Sequence, residues 1–338
     1  MTQPTIKNEK DGSVCEQADG DTILRAALRA GLGYSYECNS GGCGGCKFEL
    51  LEGNVETLWA DAPGLTERDR KRGRQLACQC RALGPVTIKV TTAPEYQPRI
   101  VPKRQRARLL SKHTITHDIQ EFRFVSENGA EFLPGQFAML DLPGLESSRA
   151  YSLSNTANAQ REWHFQIRRV LHGKGTHTLF EKMVAGDEIG LDGPYGVAYL
   201  RTDSPRDIVC VAGGSGLAPM ISITRGAAKA GLLANRRLFF FYGARTPRDV
   251  CGEEMLSALD GAPGQITYIP VVSLPGEGGE WSGETGYVHD AVARVLPSTL
   301  ASYEFYFAGP PPMTQALQEL LMVGHRVPFE QIHFDRFF

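Results

Sequence analysis

The sequence predicts a multidomain chain, α+β at its start and α/β at its end, organised as three domains. Three observations predict this. Three cysteines and four glycines crowd into "CNSGGCGGC", residues 38–46. Short strand-like runs separated by turn residues dominate from 104 to 203, the pattern of a small antiparallel β-barrel. From 204 to 338 apolar strands alternate with helical patterns, the rhythm of a doubly wound parallel sheet. A length of 338 residues, 42% of them hydrophobic, is also too long for one ordinary core.

The first domain spans 1–94. In it "DTILRAALRAG" reads as a short amphipathic helix with Asp21 as N-cap and Gly31 as its stop, and "VTIKVT" alternates like a strand. A linker is expected over 95–103, inside the proline-rich and basic stretch "APEYQPRIVPKRQRAR". In the second domain, 104–203, the strand-like runs are "IQEFRFV", "FAMLDLP", "AYSLSN", "EWHFQIRRV" and "EIGLDG", interrupted by the helical "THTLFEKMVAG". In the third, 204–338, "DIVCVAG", "RLFFFYGA", "ITYIPVV" and "YEFYFAG" are strands, and "MISITRGAAKAG" and "MTQALQELLMVG" are helices.

A formal net charge of −2 leaves no global nucleic-acid footprint. No run approaches eighteen apolar residues, so no membrane span is expected. The polar start "MTQPTIKNEKDGS" lacks the apolar core of a signal peptide, and a cytoplasmic monomer is the expectation. Disulfides are disfavoured in that compartment, so clustered thiols point to metal or redox chemistry. Of the eight cysteines, Cys15, Cys210 and Cys251 are scattered and read as small buried hydrophobes.

Cys38, Cys43, Cys46 and Cys78 give C-x4-C-x2-C followed by a distant fourth cysteine. Structural zinc sites usually carry two C-x2-C knuckles, and only one is present; the spacing is that of a plant-type 2Fe-2S cluster. Gly41, Gly42, Gly44 and Gly45 let the backbone wrap closely and turn N–H groups toward negatively charged sulfur. Cys78 is preferred to Cys80 because two positions along a strand lie about 7 Å apart, leaving room for one; Cys80 is the alternative ligand. Zinc, or no metal at all, is the alternative for the cluster.

The stretch "YECNSGGCGGCKFELLEGNV" resembles the plant-type ferredoxin domain of the reductase components of bacterial multicomponent oxygenases, which implies a β-grasp fold. "RAYSLSN" resembles the R-x-Y-S motif of the ferredoxin–NADP reductase superfamily. On a strand Arg149 and Tyr151 share one face, where the guanidinium can pair with a flavin pyrophosphate and the phenol can cover the ring. Ser152 either points away or bonds flavin N5, and the resemblance favours the second. "FLPGQFAMLDLP" is similar to the superfamily's P-G-Q-[FY] element, and "HGKGTHTLF" to its G-x-G-[ST] element. There Gly173, Gly175 and Thr176 open a helix whose N-terminus would receive phosphate oxygens. Each motif alone is weak; their order carries the reading.

"VCVAGGSGLAPM" is a buried strand, a glycine turn and a helix, with Gly213, Gly214, Ser215 and Gly216 placed to bind a pyrophosphate through N–H groups. It resembles the superfamily's G-G-[ST]-G-[IL]-[AT]-P. "FAGPPPM" resembles the C-G-P-P-P-M element near the nicotinamide; Gly309, Pro310 and Met313 match, but Ala308 replaces the usual cysteine. No thiol is therefore expected at hydride transfer, and nicotinamide positioning is expected to differ. Arg245 and Arg248 are either 2′-phosphate ligands favouring NADPH or solvated loop charges; the resemblance favours NADH.

The ending "IHFDRFF" reads as a last strand closed by two aromatics. The superfamily places a C-terminal aromatic on the flavin, so Phe337, with Phe338 as alternative, joins Tyr151 and Ser152 as a candidate catalytic residue. The ending and "LWADAPGL" look most like reductases serving toluene monooxygenases. The resemblance spans nearly the whole chain. It implies NADH, FAD and a 2Fe-2S cluster in series, delivering electrons to a Rieske ferredoxin or an oxygenase hydroxylase of a di-iron aromatic or alkene monooxygenase. The surface around Cys43 and Lys47 is the docking candidate. Arg68, Arg70, Lys71, Arg72 and Arg74 are either steering charges or a solvated helix face. The alternatives are a reductase of a Rieske dioxygenase, an E3-type reductase of deoxysugar synthesis, and a ferredoxin-like binding module with vestigial flavin and nucleotide domains.

Overall fold

The structure, a computed structural model, describes residues 3–259, 264–296 and 298–337. They fall into two compact units. The first holds the residues up to Arg104 together with Asp192–Val197; the second holds Gln105–Leu191 and Ala198–Phe337.

Seven strands serve the first unit: β1 (Thr5–Asn8), β2 (Val14–Glu16), β3 (Lys47–Glu52), β4 (Val55–Thr57), β5 (Arg74–Leu76), β6 (Cys80–Ala82) and β7 (Val86–Val90). Five form one sheet in the order β2-β1-β7-β3-β5, and β4 pairs with β6. β1 runs parallel to β7, with Ile6 opposite Val86, the central pairing of a β-grasp. Helix α1 (Ile23–Arg29) buries Ile23, Leu24, Ala27 and Leu28. Its cap is Thr22, not Asp21: the Thr22 hydroxyl accepts from the Arg25 N–H at 3.3 Å. Asp21 stands one residue too early and instead accepts from Arg29 Nε at 3.0 Å. Helix α2 (Glu67–Lys71) opens with a capping box between Thr66 and Asp69.

The second unit begins with a six-stranded antiparallel sheet of β8 (Lys103–Thr114), β9 (Ile119–Ser126), β10 (Phe137–Asp141), β11 (Arg149–Ser152), β12 (Glu162–Arg168) and β13 (Glu188–Tyr195). Its order is β11-β10-β13-β8-β9-β12, and a bridge from Leu153 to Phe165 nearly closes it into a barrel. Phe122, Phe124, Trp163 and Phe165 fill the core, and the Trp163 indole N–H reaches Ser126 Oγ at 3.0 Å. The basic run Lys103–Arg108 is strand rather than linker: one edge of β8 pairs with β9, where Ala107 lies opposite Ser126. The expected helix at 176–186 is one α-turn, α3 (Lys174–His177), running into a π-helix over Thr178–Lys182.

Six parallel strands follow: β14 (Asp207–Gly213), β15 (Leu238–Ala244), β16 (Ile266–Val272), β17 (Glu284–Thr285), β18 (Tyr303–Gly309) and β19 (Ile332–Arg336). Their order is β17-β16-β15-β14-β18-β19. Helices α4 (Leu217–Lys229) and α5 (Glu253–Ser257) cover one face. α6 (Val288–Val295) and α7 (Pro311–Gln318) cover the other. The chain builds outward from β14 in one direction and from β18 in the other, so these two neighbours form the topological switch point, where such sheets bind ligands beyond the strand ends. No helix among the described residues is long and apolar enough to cross a membrane.

Candidate redox and nucleotide sites

The cysteine loop joins α1 to β3. Asn39 and Gly41 take left-handed backbone angles there, φ +50° and +89°, and Gly44 takes +75°. Those turns fold the loop back so that N–H groups meet sulfur. Ser40 N and Cys43 N lie 3.4 and 3.3 Å from Cys38 Sγ, and Gly45 N lies 3.3 Å from Cys43 Sγ. The thiols form two hydrogen-bonded pairs, Cys38 with Cys43 and Cys46 with Cys78. Within the first pair the shared hydrogen bond brings Cys38 down to about 5, with the backbone donors adding to it against burial. The same bond, and then burial, push Cys43 well up. Cys46 is raised by its bond to Cys78, by burial and by the nearby charge of Cys78 and Cys43. The Cys38 thiolate is thus favoured, and thiolates are what iron binds.

Cys78 lies in a 3-10 turn, Ala77–Gln79, and not on a strand; Cys80 opens β6. The two thiols take different partners, Cys78 beside Cys46 and Cys80 beside Gln75 and Thr57. The Cys80 thiol donates to Gln75 Oε1 at 3.1 Å, and burial pushes it up to about 11. Cys15 and Cys210 are buried, with thiols pushed up to about 12, chiefly by burial; Cys251 is half-buried.

β11 is the end strand of the barrel sheet. Phe137 stands opposite Ser152 and Leu140 opposite Arg149, so β10 covers one edge of β11. Arg149 bonds only Ser147 and Ser148, and among the described residues no carboxylate pairs with it. A half-buried guanidinium left without a counter-ion suits an anion. A Cβ placed on Gly175 would lie 3.0 Å from the Tyr151 hydroxyl and 3.3 Å from Arg149 Cγ. Gly175 therefore lets the "GKGT" turn lie directly on the "RAYS" strand, and two motifs 24 residues apart become one site. Burial pushes the Tyr151 phenol up to about 12. The Thr176 hydroxyl closes the same turn, donating to Val170 O and Gly173 O at 3.3 and 3.2 Å. Gly173 is needed where a Cβ would meet that hydroxyl at 2.8 Å.

Gly213, Gly214, Ser215 and Gly216 sit at the carboxyl end of β14, and Gly309, Pro310 and Met313 at that of β18. The two ends touch. A Cβ on Gly216 would lie 1.9 Å from the Ala308 carbonyl oxygen, and one on Gly213 would lie 2.6 Å from Met313 Sδ. Only bare backbone fits, which exposes the N–H groups at the head of α4. Ala308 is wholly buried between Ala212 and Asp335, in register on either side. Phe337 N donates to Gly309 O at 3.0 Å, and its ring is half-buried at the edge of the core that includes Leu217. Phe338 lies outside the described residues. Arg245 and Arg248 are exposed beyond the end of β15, with no carboxylate partner among the described residues.

Two residues of these sites carried no readable signal. Arg168, at the end of β12, places Nη1 3.3 Å from where a Gly214 Cβ would be and is braced by Asp118 at 2.6 Å. Gly64 packs on the cysteine loop, donating to Gly41 O at 2.9 Å where a Cβ would meet Gly44 N at 2.6 Å. Neither has a spacing that marks it in sequence; both come into place only when distant segments meet.

Comparison with known proteins assigns the three regions. Residues 6–83 match the 2Fe-2S iron-sulfur cluster binding domain, 106–199 the oxidoreductase FAD-binding domain and 210–319 the oxidoreductase NAD-binding domain. The chain therefore carries the modules for a 2Fe-2S cluster, FAD and NADH. It is 40% identical over 342 residues, the whole of both chains, to the ferredoxin–NAD(P)+ reductase CarAd of Metapseudomonas resinovorans. It is also 40% identical over 330 residues, 97% of this chain and 98% of the other, to the ferredoxin–NAD+ reductase component of the alkene monooxygenase system of Xanthobacter autotrophicus. Among solved structures, the ferredoxin reductase in carbazole 1,9a-dioxygenase superposes with a TM-score of 0.91 at 37% identity, covering 99% of each chain. Fold and sites define an iron–sulfur flavoprotein oxidoreductase. The chain belongs to the family of ferredoxin–NAD(P)+ reductase components of oxygenase systems.

Proposed function

We propose that this protein is the NADH-dependent reductase of a di-iron aromatic or alkene monooxygenase system, passing electrons to a Rieske ferredoxin or to the oxygenase itself. The observation that carries it is the four-thiol constellation of Cys38, Cys43, Cys46 and Cys78 in a chain that also carries the flavin and nucleotide modules. FAD accepts the two electrons of a hydride together, and a 2Fe-2S centre takes them one at a time, which is why a nicotinamide donor needs both groups. A plant-type cluster works near about −400 mV, low enough to reduce a Rieske centre.

The residues present fit these groups. Two neighbouring pairs of thiols, with the Cys38 thiolate favoured and N–H donors on Cys38 and Cys43, suit a 2Fe-2S cluster. Arg149 would hold the flavin pyrophosphate, with the bare backbone of Gly173, Gly175 and Thr176 beside it. Tyr151 would lie on the ring face and Ser152 at the strand edge beside N5. Gly213 to Gly216 would receive the nucleotide pyrophosphate through N–H groups, and Gly309, Pro310 and Met313 would border the nicotinamide. Phe337 would shield the flavin until the nicotinamide takes its place. With Ala308 in the usual cysteine position, orientation of the nicotinamide falls to backbone and apolar contact.

The protein acts as a monomer in the cytoplasm with no nucleic-acid partner in this reading. Similarity to the reductase in carbazole 1,9a-dioxygenase favours a Rieske dioxygenase system as the second reading. An anaerobic titration with NADH tests the proposal. Bleaching of the flavin band with growth of a reduced 2Fe-2S paramagnetic signal is expected, at lower nucleotide concentration than with NADPH. No bleaching with either nucleotide would refute it.

A further inference from the structure

The cysteine loop is overlain by the segment that leads from β4 to α2. Leu58 N donates to the carbonyl of Gln79, the neighbour of Cys78, at 2.8 Å. The Trp59 ring lies against Gly41, with Cε3 3.1 Å from where a Cβ would stand. Leu58 and Trp59 are nevertheless 41% and 46% exposed. Two large apolar side chains, anchored on both flanks of the cysteines and left facing water, are a costly arrangement for an isolated protein. An indole of this kind is a common anchor of a protein interface.

α2 sorts the charges beside them. Arg70 is exposed but tied to the segment, donating to the Ala60 carbonyl and, at 3.0 Å, to that of Ala62. Asp69 is buried, pairing with Lys47 at 2.7 Å and with Arg74 at 3.3 Å; hydrogen bonds from Lys47 and then Thr66 hold its carboxyl far below the usual range. Lys47, Arg70 and Arg74 are therefore engaged, and Lys47 is not the free docking charge its sequence position suggests. Arg68, Lys71 and Arg72 remain. They are exposed, have no carboxylate partner among the described residues, and fall at i, i+3 and i+4, one face of the helix. Asp61 and Glu67 are the exposed acids of the same segment, and three free cations outnumber them.

We infer that Leu58, Trp59 and the cationic face of α2 form the docking surface for an acidic one-electron carrier protein. The inference rests on the reading that this chain passes electrons to a protein. The cations steer and orient the carrier at long range, and Trp59 supplies the desolvated contact beside the cysteine loop.

The test uses the complete holoprotein with three acceptors: an acidic Rieske-type ferredoxin, basic cytochrome c and ferricyanide. Reversing Arg68, Lys71 and Arg72 to Glu should raise the KM for the ferredoxin by about tenfold, and flatten its rise with salt. The same variant should lower the KM for cytochrome c. Trp59→Ala should raise the ferredoxin KM by about fivefold or more without changing the salt dependence. NADH–ferricyanide turnover should stay as in the wild type. If Trp59→Ala diminishes the 2Fe-2S signal, Leu58→Ser is measured instead. A ferredoxin KM unmoved by the charge reversal, with ferricyanide turnover intact, overturns the docking surface. Failure of the wild type to reduce ferricyanide with NADH would overturn the reductase reading instead.

Discussion

Two glycine-rich loops in this chain look alike as text and differ in what glycine does for them. In "CNSGGCGGC" the need is conformational first: Gly41 and Gly44 hold φ of +89° and +75°, which turns successive N–H groups onto Cys38 and Cys43, and at Gly44 the Gly64 carbonyl, 2.4 Å from where a Cβ would stand, adds a steric need. In "AGGSG" the need is mostly steric. Gly213 and Gly216 have ordinary angles, but a Cβ would collide with Met313 or with the Ala308 carbonyl. The first loop shapes itself around a group it encloses. The second is pared down so that two strand ends can close on each other and leave N–H groups facing outward. Counting glycines cannot separate the two cases; position by position, the φ of Gly41 and the backbone clash at Gly216 can.

The largest effect should come from the ligands that the first loop presents. Cys78→Ser should abolish the 2Fe-2S absorbance and paramagnetic signal while flavin stays bound, and Cys80→Ser should leave both. A cluster that survives loss of Cys78 would move the fourth ligand to Cys80. A sharper test exchanges the two kinds of glycine. Gly44→Ala places a methyl 2.4 Å from Gly64 O at a positive φ, and should deplete the cluster while NADH–ferricyanide turnover persists. Gly216→Ala should cost about 3 kcal/mol through overpacking and raise the KM for NADH, with the cluster spectrum unchanged. If each variant impaired both readouts equally, the distinction between the loops would fail.

The smallest effect concerns pH, and lies away from both loops. His333 Nε2 is 2.7 Å from Glu304 Oε1, and Ser204 donates to Glu304 Oε2 at 2.8 Å. Burial keeps His333 below its ordinary 6.5 despite the carboxylate. Burial opposes ionisation of Glu304, but the hydrogen bonds from His333 and Ser204 hold it below 4.5. Both groups take up protons more readily when unfolded; the His333 contribution is complete above pH 6.5 and is lost as pH falls below it, and that of Glu304 is lost only below 4.5. The apparent melting temperature should drop by roughly 2–4 °C per kcal/mol lost as the pH is lowered from 7 toward 5. His333→Gln should flatten the upper part of that fall. Calorimetry showing a steeper fall in the variant would reverse the sign assigned to His333.

Much of the architecture was legible because it is written locally. Cysteine spacing, period-two strands such as Ile119–Ser126, and the strand–turn–helix of Asp207–Lys229 all declare themselves within a few residues. What escaped depends on partners far along the chain. Lys103–Arg108 closes the basic stretch that reads as a tether because its hydrophobic alternation is weak; β8, which it opens, pairs with β9 from Ala107 onward. Asp21 resembles a cap and is recruited by Arg29, while Thr22 meets the free N–H. The eight residues of α6 have no strong cap: Tyr287 precedes them with no side-chain hydrogen bond, and packing on the sheet holds them. The sites divide the same way. Arg149 and Tyr151 stand out by spacing, whereas Arg168, Gly64 and Trp59 matter only through what folding brings beside them.

The parallel pairing of β1 with β7 has a consequence for how the protein is made. The central strand of the first sheet, β7 (Val86–Val90), is also its last to be synthesised, and until it emerges nothing joins the β1–β2 pair to the β3–β5 pair. Cys38, Cys43 and Cys46 emerge from the ribosome about 40 residues earlier, roughly 2–8 s at bacterial elongation rates. During that interval three thiols are presented on an open loop, and Cys78 arrives just before the sheet can close. Iron and sulfide delivered in that interval would meet a loop not yet held by its sheet. Mutations that slow β7 pairing would then lengthen the time available for loading, and with it the time in which the naked thiols can be oxidised.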